Sequence, residues 1–268
     1  MELIRLTARL VLFTGFMGLT ATLAGTLLLV ETLLRCQIDR APFARICFNG
    51  ASRCLGFRMS TQGTFSEKPV LYVSNHISWS DIPVLGGQVP LRFLSKAEVG
   101  RWPVIGWLAT QAGTLFIQRG SGKAGQARDE IARTLLNGQS VLVFPEGTTT
   151  AGVTVLPFHS RLLHAAADAG VDIQPLSIGY LRNGHPDHLA PFIGDDEFQH
   201  HLMRMLRQPA VEVGVIAHPV VTIDDSTDLE DVTRDLRQTV HDGLRQIQAG
   251  RLSDQASDRP TAVAGPEL

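Results

Sequence analysis

The chain has few cysteines and almost no net charge, and it lacks several motifs that mark common protein classes. Its three cysteines, Cys36, Cys47 and Cys54, form no Cys-x-x-Cys pair, which argues against a disulfide framework and indicates reduced thiols. A formal net charge of -2 provides no basic surplus for binding nucleic acid. The sequence contains no Gly-x-Ser-x-Gly motif, so a serine nucleophile of the hydrolase type is not expected.

Histidines occur in groups, but no group has the spacing of a metal site. The groups are His159 with His164, His185 with His188, and His200 with His201. None of them has a third ligand at a recognisable metal spacing. The sequence therefore predicts no metal ion and no bound cofactor.

A long apolar segment lies near the amino terminus. From Leu10 to Val30, twenty-one consecutive residues are uncharged and mostly apolar. At a rise of about 1.5 Å per residue, a helix of this length just crosses a hydrocarbon core of about 30 Å, so we expect a membrane anchor. A cleavable signal peptide is an alternative, although the apolar run continues beyond its small residues. Gly15, Gly18 and Gly25 also leave open a re-entrant helical hairpin.

The stretch after this segment is basic and partly apolar. Five arginines follow the segment and two precede it, which predicts that the body of the protein faces the cytoplasm from the inner membrane. The five are Arg35, Arg40, Arg45, Arg53 and Arg58. Apolar residues are interleaved with them, a mixture that fits the surface of an anionic bilayer. A solvated connecting helix is an equal alternative, because the apolar residues have no clean 3.6-residue period.

The rest of the chain alternates between strand and helix patterns. Six apolar runs have the length of buried strands: Pro69 to Ser74, Leu91 to Leu94, Gly113 to Ile117, Ser140 to Phe144, Ile173 to Ile178 and Val211 to Ile216. Helical patterns include Gly122 to Leu136 and a closing amphipathic helix from Leu229 to Ile247. This alternation predicts an α/β fold with a central, mostly parallel sheet flanked by helices, preceded by the membrane-associated helix or hairpin.

A histidine and an aspartate, five positions apart, follow the first of these strands. His76 and Asp81 lie in the polar stretch after Ser74. A carboxylate against one imidazole nitrogen fixes the tautomer, and the other nitrogen can then take a proton from an alcohol. A structural interpretation is also open, because an aspartate often begins a helix and histidines are common in turns.

Two further strand ends present polar groups. The strand that ends at Phe144 runs into Glu146, Gly147 and Thr148, where glycine permits close approach of a ligand and the hydroxyls suit a polar head group. Another strand ends close to Arg119, whose guanidinium can hold a phosphate through paired N–H donors. Ligands gather at strand ends in α/β sheets, so these residues are candidates for one site.

The order of these motifs resembles the glycerolipid acyltransferase family. The matching features are the HxxxxD pair His76 and Asp81, the arginine in Phe-Ile-Gln-Arg119, and the sequence Phe-Pro-Glu146-Gly147. A fourth block of the family, an apolar stretch with a proline, is similar to Val171 to Leu176 here. The likeness covers about residues 69 to 220 and leaves out both ends of the chain.

The resemblance implies a role for each motif. His76 would remove the proton from the acceptor hydroxyl, and Asp81 would orient His76. The implied substrate-binding residues are Arg119, Glu146, Gly147 and Thr148. The acyl group would pass directly from acyl-CoA or acyl carrier protein to a lysolipid at the membrane, without a covalent acyl-enzyme.

The sequence indicates the acceptor less clearly than the reaction. Resemblance to the bacterial 1-acylglycerol-3-phosphate acyltransferase implies a product of phosphatidic acid in phospholipid biosynthesis. Many members, however, have an arginine where this chain has Thr149. Without that guanidinium, the site lacks one contact to a phosphomonoester. The branch of the family that acylates lyso-ornithine lipid is therefore an alternative. A lipid-binding protein that keeps the fold without turnover is a second alternative.

These patterns divide the chain into four predicted segments. Residues 1–34 would be the membrane anchor and residues 35–66 a basic amphipathic connector. Residues 67–249 would form the acyltransferase catalytic domain. Residues 250–268, rich in Ser, Asp, Pro and Ala, would be a disordered tail.

Overall fold

The computed structural model describes residues 1–118, 124–224 and 227–252. Its helices are α1 (Glu2–Leu34), α2 (Ala41–Leu55), α3 (Asp81–Gly86), α4 (Ile105–Gln111), α5 (Ala124–Leu136), α6 (His164–Ala169), α7 (Phe198–Arg207) and α8 (Leu229–Gln248). Its strands are β1 (Phe57–Gln62), β2 (Leu71–Ser74), β3 (Arg92–Lys96), β4 (Leu115–Ile117), β5 (Val141–Val143), β6 (Ile173–Arg182), β7 (His185–Pro186) and β8 (Val211–Ala217). Most of the predicted tail, residues 253–268, lies outside the described residues.

The strands of the described residues form one sheet in the order β1-β8-β6-β2-β5-β3-β4, with β7 paired to β6. Parallel pairs join β2 to β5 and β6, β3 to β4 and β5, and β1 to β8. Antiparallel pairs join β6 to β7 and β8. The predicted α/β fold with a mostly parallel sheet is confirmed.

The centre of the sheet is buried on both faces. The side chains of Leu71, Tyr72 and Val73 on β2 are 0% exposed, as are those of Val141 to Val143 on β5. Burial on both faces explains why these strands are continuous apolar runs rather than alternating patterns. The carboxyl ends of β2 and β5 therefore lie next to each other, each on a rigid scaffold, and the turns after them meet at one edge.

The sheet begins earlier in the chain than the sequence predicts. Residues 35–66 are predicted to be a connector, whereas the structure places α2 and β1 there. β1 pairs with β8 over six residues, from Phe57 opposite Val211 to Gln62 opposite Ile216. A boundary at residue 67 would separate β1 from the strand to which it is hydrogen-bonded.

The long first helix is unbroken and packs against the body. α1 passes through Gly15, Gly18 and Gly25 without interruption, so the chain does not form a hairpin within this segment. It turns back after α1, and α2 runs antiparallel along it, with Gly50 against the Phe16 ring and the Cys54 Sγ near the Leu12 carbonyl. Among the described residues, α1 is the one helix long and apolar enough to cross a membrane.

Side chains fasten α1 to the body at both of its ends. Near the amino end, Arg5 donates to the carbonyl of Arg207 at 3.1 Å and Arg9 donates to the carbonyl of Gln208 at 2.7 Å. Near the carboxyl end, Arg40 bridges Glu31 of α1 and Gln111 of α4. The helix therefore lies along the surface of the domain over most of its length.

Candidate active site

His76 and Asp81 contact each other in the turn after β2. The His76 Nδ1 atom lies 2.8 Å from Asp81 Oδ2, and the imidazole is 19% exposed whereas the carboxylate is fully buried. The N–H groups of Ile77 and Ser78 donate to the same oxygen at 2.7 and 3.0 Å. An N–H at Nδ1 that donates to the carboxylate leaves the lone pair on Nε2. Within the described part of the chain, no hydrogen bond occupies Nε2, so this atom can accept a proton.

A tyrosine on β6 holds the other oxygen of Asp81. The Tyr180 hydroxyl donates to Asp81 Oδ1 at 2.7 Å, and the Ser80 hydroxyl lies 2.9 Å from the Tyr180 hydroxyl. Burial, reinforced by the charge of Asp81, raises the pKa of Tyr180 well above its ordinary value. The hydroxyl therefore stays protonated and donates to the carboxylate.

Asn75 fixes the turn to the sheet. Its side-chain amide donates to the carbonyl of Ile178 and accepts from the N–H of the same residue, both at 2.9 Å. At the other end of the turn, Asp81 begins α3, where a negative charge is favourable at a helix amino terminus. With both ends fixed, the turn projects the His76 ring in one direction.

The turn after β5 packs against this first turn. The Phe144 ring stacks on the His76 ring, with centroids 3.9 Å apart and an interplanar angle of 12°. Glu146 is 5% exposed. Its Oε1 accepts from the His76 N–H and its Oε2 accepts from the Leu156 N–H, both at 2.7 Å. Burial raises the pKa of Glu146, although the two backbone donors act in the opposite direction.

The remaining residues of the second turn lie nearer the surface. Gly147 has a φ of 71°, a conformation that favours glycine, and Thr148 is exposed. Thr149 donates its hydroxyl to the carbonyl of Phe192. The Thr150 N–H donates to the His76 carbonyl at 2.8 Å, which is a second link between the two turns.

The structure thus brings most of the predicted site residues together. His76, Asp81 and Glu146 are connected by hydrogen bonds, and Gly147 and Thr148 follow directly on the exposed side of the second turn. Arg119 lies outside the described residues, two positions after the end of β4.

Comparisons with known proteins identify the family. The model of the family described as Acyltransferase matches residues 56–179, which include both turns. A lyso-ornithine lipid O-acyltransferase of Pseudomonas aeruginosa is 45% identical over 77% of this chain and 81% of its own length. The chain belongs to the acyltransferase family.

One further relative of this acyltransferase and one solved structure are informative. A 1-acyl-sn-glycerol-3-phosphate acyltransferase of Neisseria gonorrhoeae is 30% identical over 75% of this chain and 78% of its own. The crystal structure of the 1-acyl-sn-glycerophosphate acyltransferase PlsC from Thermotoga maritima matches with a TM-score of 0.66 and 23% identity, covering 93% of this chain and 98% of that one. At this identity the structural match supports the fold.

The geometry of the acyltransferase suits base catalysis on a hydroxyl. An imidazole whose Nδ1 is held by a buried carboxylate can take a proton at Nε2 and stabilise the resulting positive charge. The stacked Phe144 ring covers one face of the imidazole and limits its access to water.

Sequence reasoning missed several residues that shape this site. Tyr180 holds Asp81, Ser80 bonds to the Tyr180 hydroxyl, Asn75 anchors the turn, and Phe144 covers the imidazole. Asn75 offered a signal, because it is a polar residue between a buried strand and the histidine. Tyr180 offered little, because it lies 99 residues from Asp81 in the chain.

Proposed function

We propose that this acyltransferase moves a fatty acyl group from a thioester donor to the free hydroxyl of a lysolipid, with His76 as the general base. The observation that carries the proposal is the 2.8 Å contact between His76 Nδ1 and the buried Asp81, which leaves the lone pair on Nε2 to accept a proton. A binding protein without turnover has no need of an ionisable pair arranged in this way.

The reaction proceeds in one transfer. His76 Nε2 takes the proton from the lysolipid hydroxyl as the oxygen attacks the thioester carbonyl. The carbon–sulfur bond then breaks, and His76 returns the proton to the leaving thiolate. Asp81 stabilises the imidazolium in between. Orientation of hydroxyl and thioester in one cleft supplies the rest of the rate enhancement.

The turn after β5 holds the turn after β2 in place. Both oxygens of Glu146 accept backbone N–H groups, so this carboxylate fixes the His76 turn rather than contacting the acceptor. Gly147 and Thr148, on the exposed side, contact the acceptor. Arg119 keeps its predicted role as the group that holds an anion of the acceptor.

Lyso-ornithine lipid is the acceptor that the comparisons favour. Four relatives carry that name, from 30% to 45% identical, and they include the Pseudomonas aeruginosa protein. Thr149 agrees with this acceptor, because it donates to the Phe192 carbonyl where an arginine would offer a second anion contact. The second candidate is 1-acyl-sn-glycerol-3-phosphate, supported by the 30% identity of the Neisseria gonorrhoeae protein. The order of the two acceptors is thus the reverse of the order expected from the sequence.

The enzyme works at a membrane, with α1 as its contact to lipid. Large apolar side chains on the outward face of α1 are exposed, among them Val11, Leu19 and Leu29. Because hydrogen bonds fasten both ends of α1 to the body, we favour a helix that lies in the lipid surface over one that crosses the bilayer. The arginine excess after the helix supports the inner membrane and a cytoplasmic catalytic domain.

Acyl transfer by purified membranes that contain the protein tests this function. The membranes receive acyl-CoA or acyl carrier protein as donor, and lyso-ornithine lipid or lysophosphatidic acid as acceptor. We expect transfer to lyso-ornithine lipid, and membranes that contain the His76→Ala variant serve as the blank. Transfer to lysophosphatidic acid alone would contradict lyso-ornithine lipid as the acceptor. Transfer to neither acceptor would contradict the proposed function.

The Thr149→Arg variant examines the choice of acceptor in the same assay. The added guanidinium offers a charged contact to a phosphomonoester, and the hydrogen bond to Phe192 is lost. We expect the ratio of kcat/KM for lysophosphatidic acid to that for lyso-ornithine lipid to rise about tenfold or more. An unchanged ratio would contradict a role of this position in acceptor choice.

A further inference from the structure

A buried tyrosine hydroxyl lies directly behind the candidate base and its aspartate. Asp81 uses one oxygen, Oδ2, to accept from His76 and from two backbone N–H groups. Within the described residues, its other oxygen, Oδ1, accepts from one donor, the Tyr180 hydroxyl at 2.7 Å. Tyr180 is 4% exposed and Asp81 is 0% exposed, so water does not replace this donor.

The sheet topology places the tyrosine behind the turn. β2 ends at Ser74 opposite Leu176 of β6, and β6 continues beyond that point to Arg182. Alternate residues of a strand share a face, so Leu176, Ile178 and Tyr180 lie on one face of β6. The extension of β6 past the end of β2 therefore carries the Tyr180 side chain behind the turn that contains Asp81.

The direction of the hydrogen bonds is fixed by charge. The pKa of Tyr180 is raised well above its ordinary value, by burial and by the charge of Asp81, so the hydroxyl is protonated at any working pH. Its single hydrogen is donated to the carboxylate, and the Ser80 hydroxyl, 2.9 Å away, donates to the tyrosine oxygen. The chain Ser80, Tyr180, Asp81 and His76 is therefore directional.

We propose that Tyr180 is a positioning residue for acyl transfer, holding Asp81 so that its Oδ2 faces the Nδ1 of His76. This inference rests on the proposed function, in which His76 is the base. Without the hydroxyl, the carboxylate has a free oxygen in a buried place and can rotate away from the imidazole. Tyr180 acts through Asp81 and does not contact the substrate.

The Tyr180→Phe variant tests the proposal, with Tyr72→Phe as a matched control. Tyr72 on β2 is also buried, at 0% exposure, and its hydroxyl is not hydrogen-bonded to Asp81 or His76. We expect Tyr180→Phe to lower kcat about tenfold to a hundredfold and to leave the KM for lyso-ornithine lipid within twofold. We expect Tyr72→Phe to leave kcat within threefold of the wild-type value.

The pH dependence separates positioning from a loss of folding. The ionisable groups around the Asp81 carboxylate are His76 in the same turn, Tyr180 on β6 and Glu146 on the neighbouring turn, and Asp187 acts on Tyr180 from beyond β7. Removal of the tyrosine hydroxyl takes away a hydrogen bond that stabilises the charge of the carboxylate. Asp81, or the imidazole next to it, should therefore keep a proton to higher pH. The acidic limb of the pH–rate profile should therefore move to higher pH in Tyr180→Phe and not in Tyr72→Phe.

A spectroscopic measurement tests the proposal without turnover. The ¹⁵N shifts of labelled histidines report which nitrogen of His76 carries the hydrogen. We expect one tautomer, with N–H at Nδ1, in the wild-type protein and a mixture in Tyr180→Phe. If His76 proves not to be the base, this measurement still decides whether Tyr180 positions the pair.

Three results would overturn the inference. They are a kcat within threefold of wild type in Tyr180→Phe, a loss of kcat matched by Tyr72→Phe, and an unchanged pH limb together with an unchanged tautomer. If Tyr180→Phe does not fold, Ser80→Ala replaces it. That change leaves the tyrosine ring in place and removes the donor to its oxygen, so we expect the acidic limb of the pH–rate profile to move in the same direction by a smaller amount. An unmoved limb in a folded Ser80→Ala variant would overturn the inference.

Discussion

The turns after β2 and β5 share a general plan but have different tasks. Each follows a buried apolar strand, and each contains an acid, seven residues after the end of β2 and three residues after the end of β5. In the first turn, Asp81 holds the side chain of His76, at 2.8 Å. In the second turn, Glu146 holds the backbone of His76 and of Leu156. The Asp81 carboxylate binds the imidazole of His76, and the Glu146 carboxylate binds the backbone of the turn that carries this imidazole.

The difference follows from what each acid can reach. Asp81 begins a helix five residues after His76, so the short aspartate folds back onto the imidazole and onto the N–H groups between them. Glu146 lies on a neighbouring strand end, and its longer side chain reaches across to the His76 N–H. An acid near a strand end therefore predicts where a site lies. Its role, however, depends on whether it binds a side chain or the backbone.

The largest effect is expected for His76→Ala, which removes the proposed base from the first turn. General base catalysis contributes about a hundredfold to ten-thousandfold, so the rate should fall by at least a hundredfold. The matched control is His185→Ala, since His185 is an exposed histidine on β7. Acyl transfer by membranes with equal amounts of each variant measures the loss. A tenth or more of the wild-type rate in His76→Ala would exclude His76 as the base.

The next effect is expected for Glu146→Ala, which tests the second turn as a scaffold. Two partly buried N–H groups lose a carboxylate acceptor, and we expect the free energy of unfolding to fall by about 2 to 4 kcal/mol. Activity should fall about tenfold, because the His76 backbone is no longer fixed. Thermal unfolding of the purified protein measures the stability. Full stability with lost acceptor binding would instead assign Glu146 to the substrate.

The difference in stability between the wild-type protein and the Glu146→Ala variant should depend on pH. Burial raises the pKa of Glu146 above its ordinary value of 4.5, so the folded chain holds this proton more tightly than the unfolded chain does. The stability that Glu146 contributes is thus greatest below pH 4.5 and falls as the pH rises through the raised pKa. The gap between wild type and Glu146→Ala should narrow from pH 4.5 upward in unfolding experiments. A gap that widens would contradict the direction of this shift.

The smallest effect is expected for Thr148→Ala, on the exposed side of the second turn. One neutral hydrogen bond to the acceptor contributes equally before and during the reaction, so KM should rise about twofold to tenfold and kcat should stay unchanged. Steady-state kinetics with lyso-ornithine lipid measure both constants. A fall in kcat of tenfold or more would place Thr148 among the groups that act on the reacting atoms.

The sequence predicts the central strands well because they are buried on both faces. Val141 to Val143 and Leu71 to Val73 are apolar without interruption, and burial at 0% exposure demands such runs. β1 was missed because Arg58, Ser60 and Gln62 make it too polar to stand out, as is common at the edge of a sheet.

The candidate site could be predicted in part. The contact between His76 and Asp81 is local, so spacing within one turn was enough to indicate it. The positions of Tyr180 behind Asp81 and of Glu146 beneath His76 depend on the order of strands in the sheet. Strand order is set by packing across the whole chain, and no local pattern encodes it.

A structure of the enzyme with bound lyso-ornithine lipid tests the central claim most directly. The distance from the acceptor hydroxyl oxygen to His76 Nε2 is the quantity to measure. The claim that His76 is the base predicts a distance of about 2.6 to 3.2 Å, with Nδ1 still held by Asp81. A productive complex in which the hydroxyl lies beyond the reach of Nε2, directly or through one water, would contradict it.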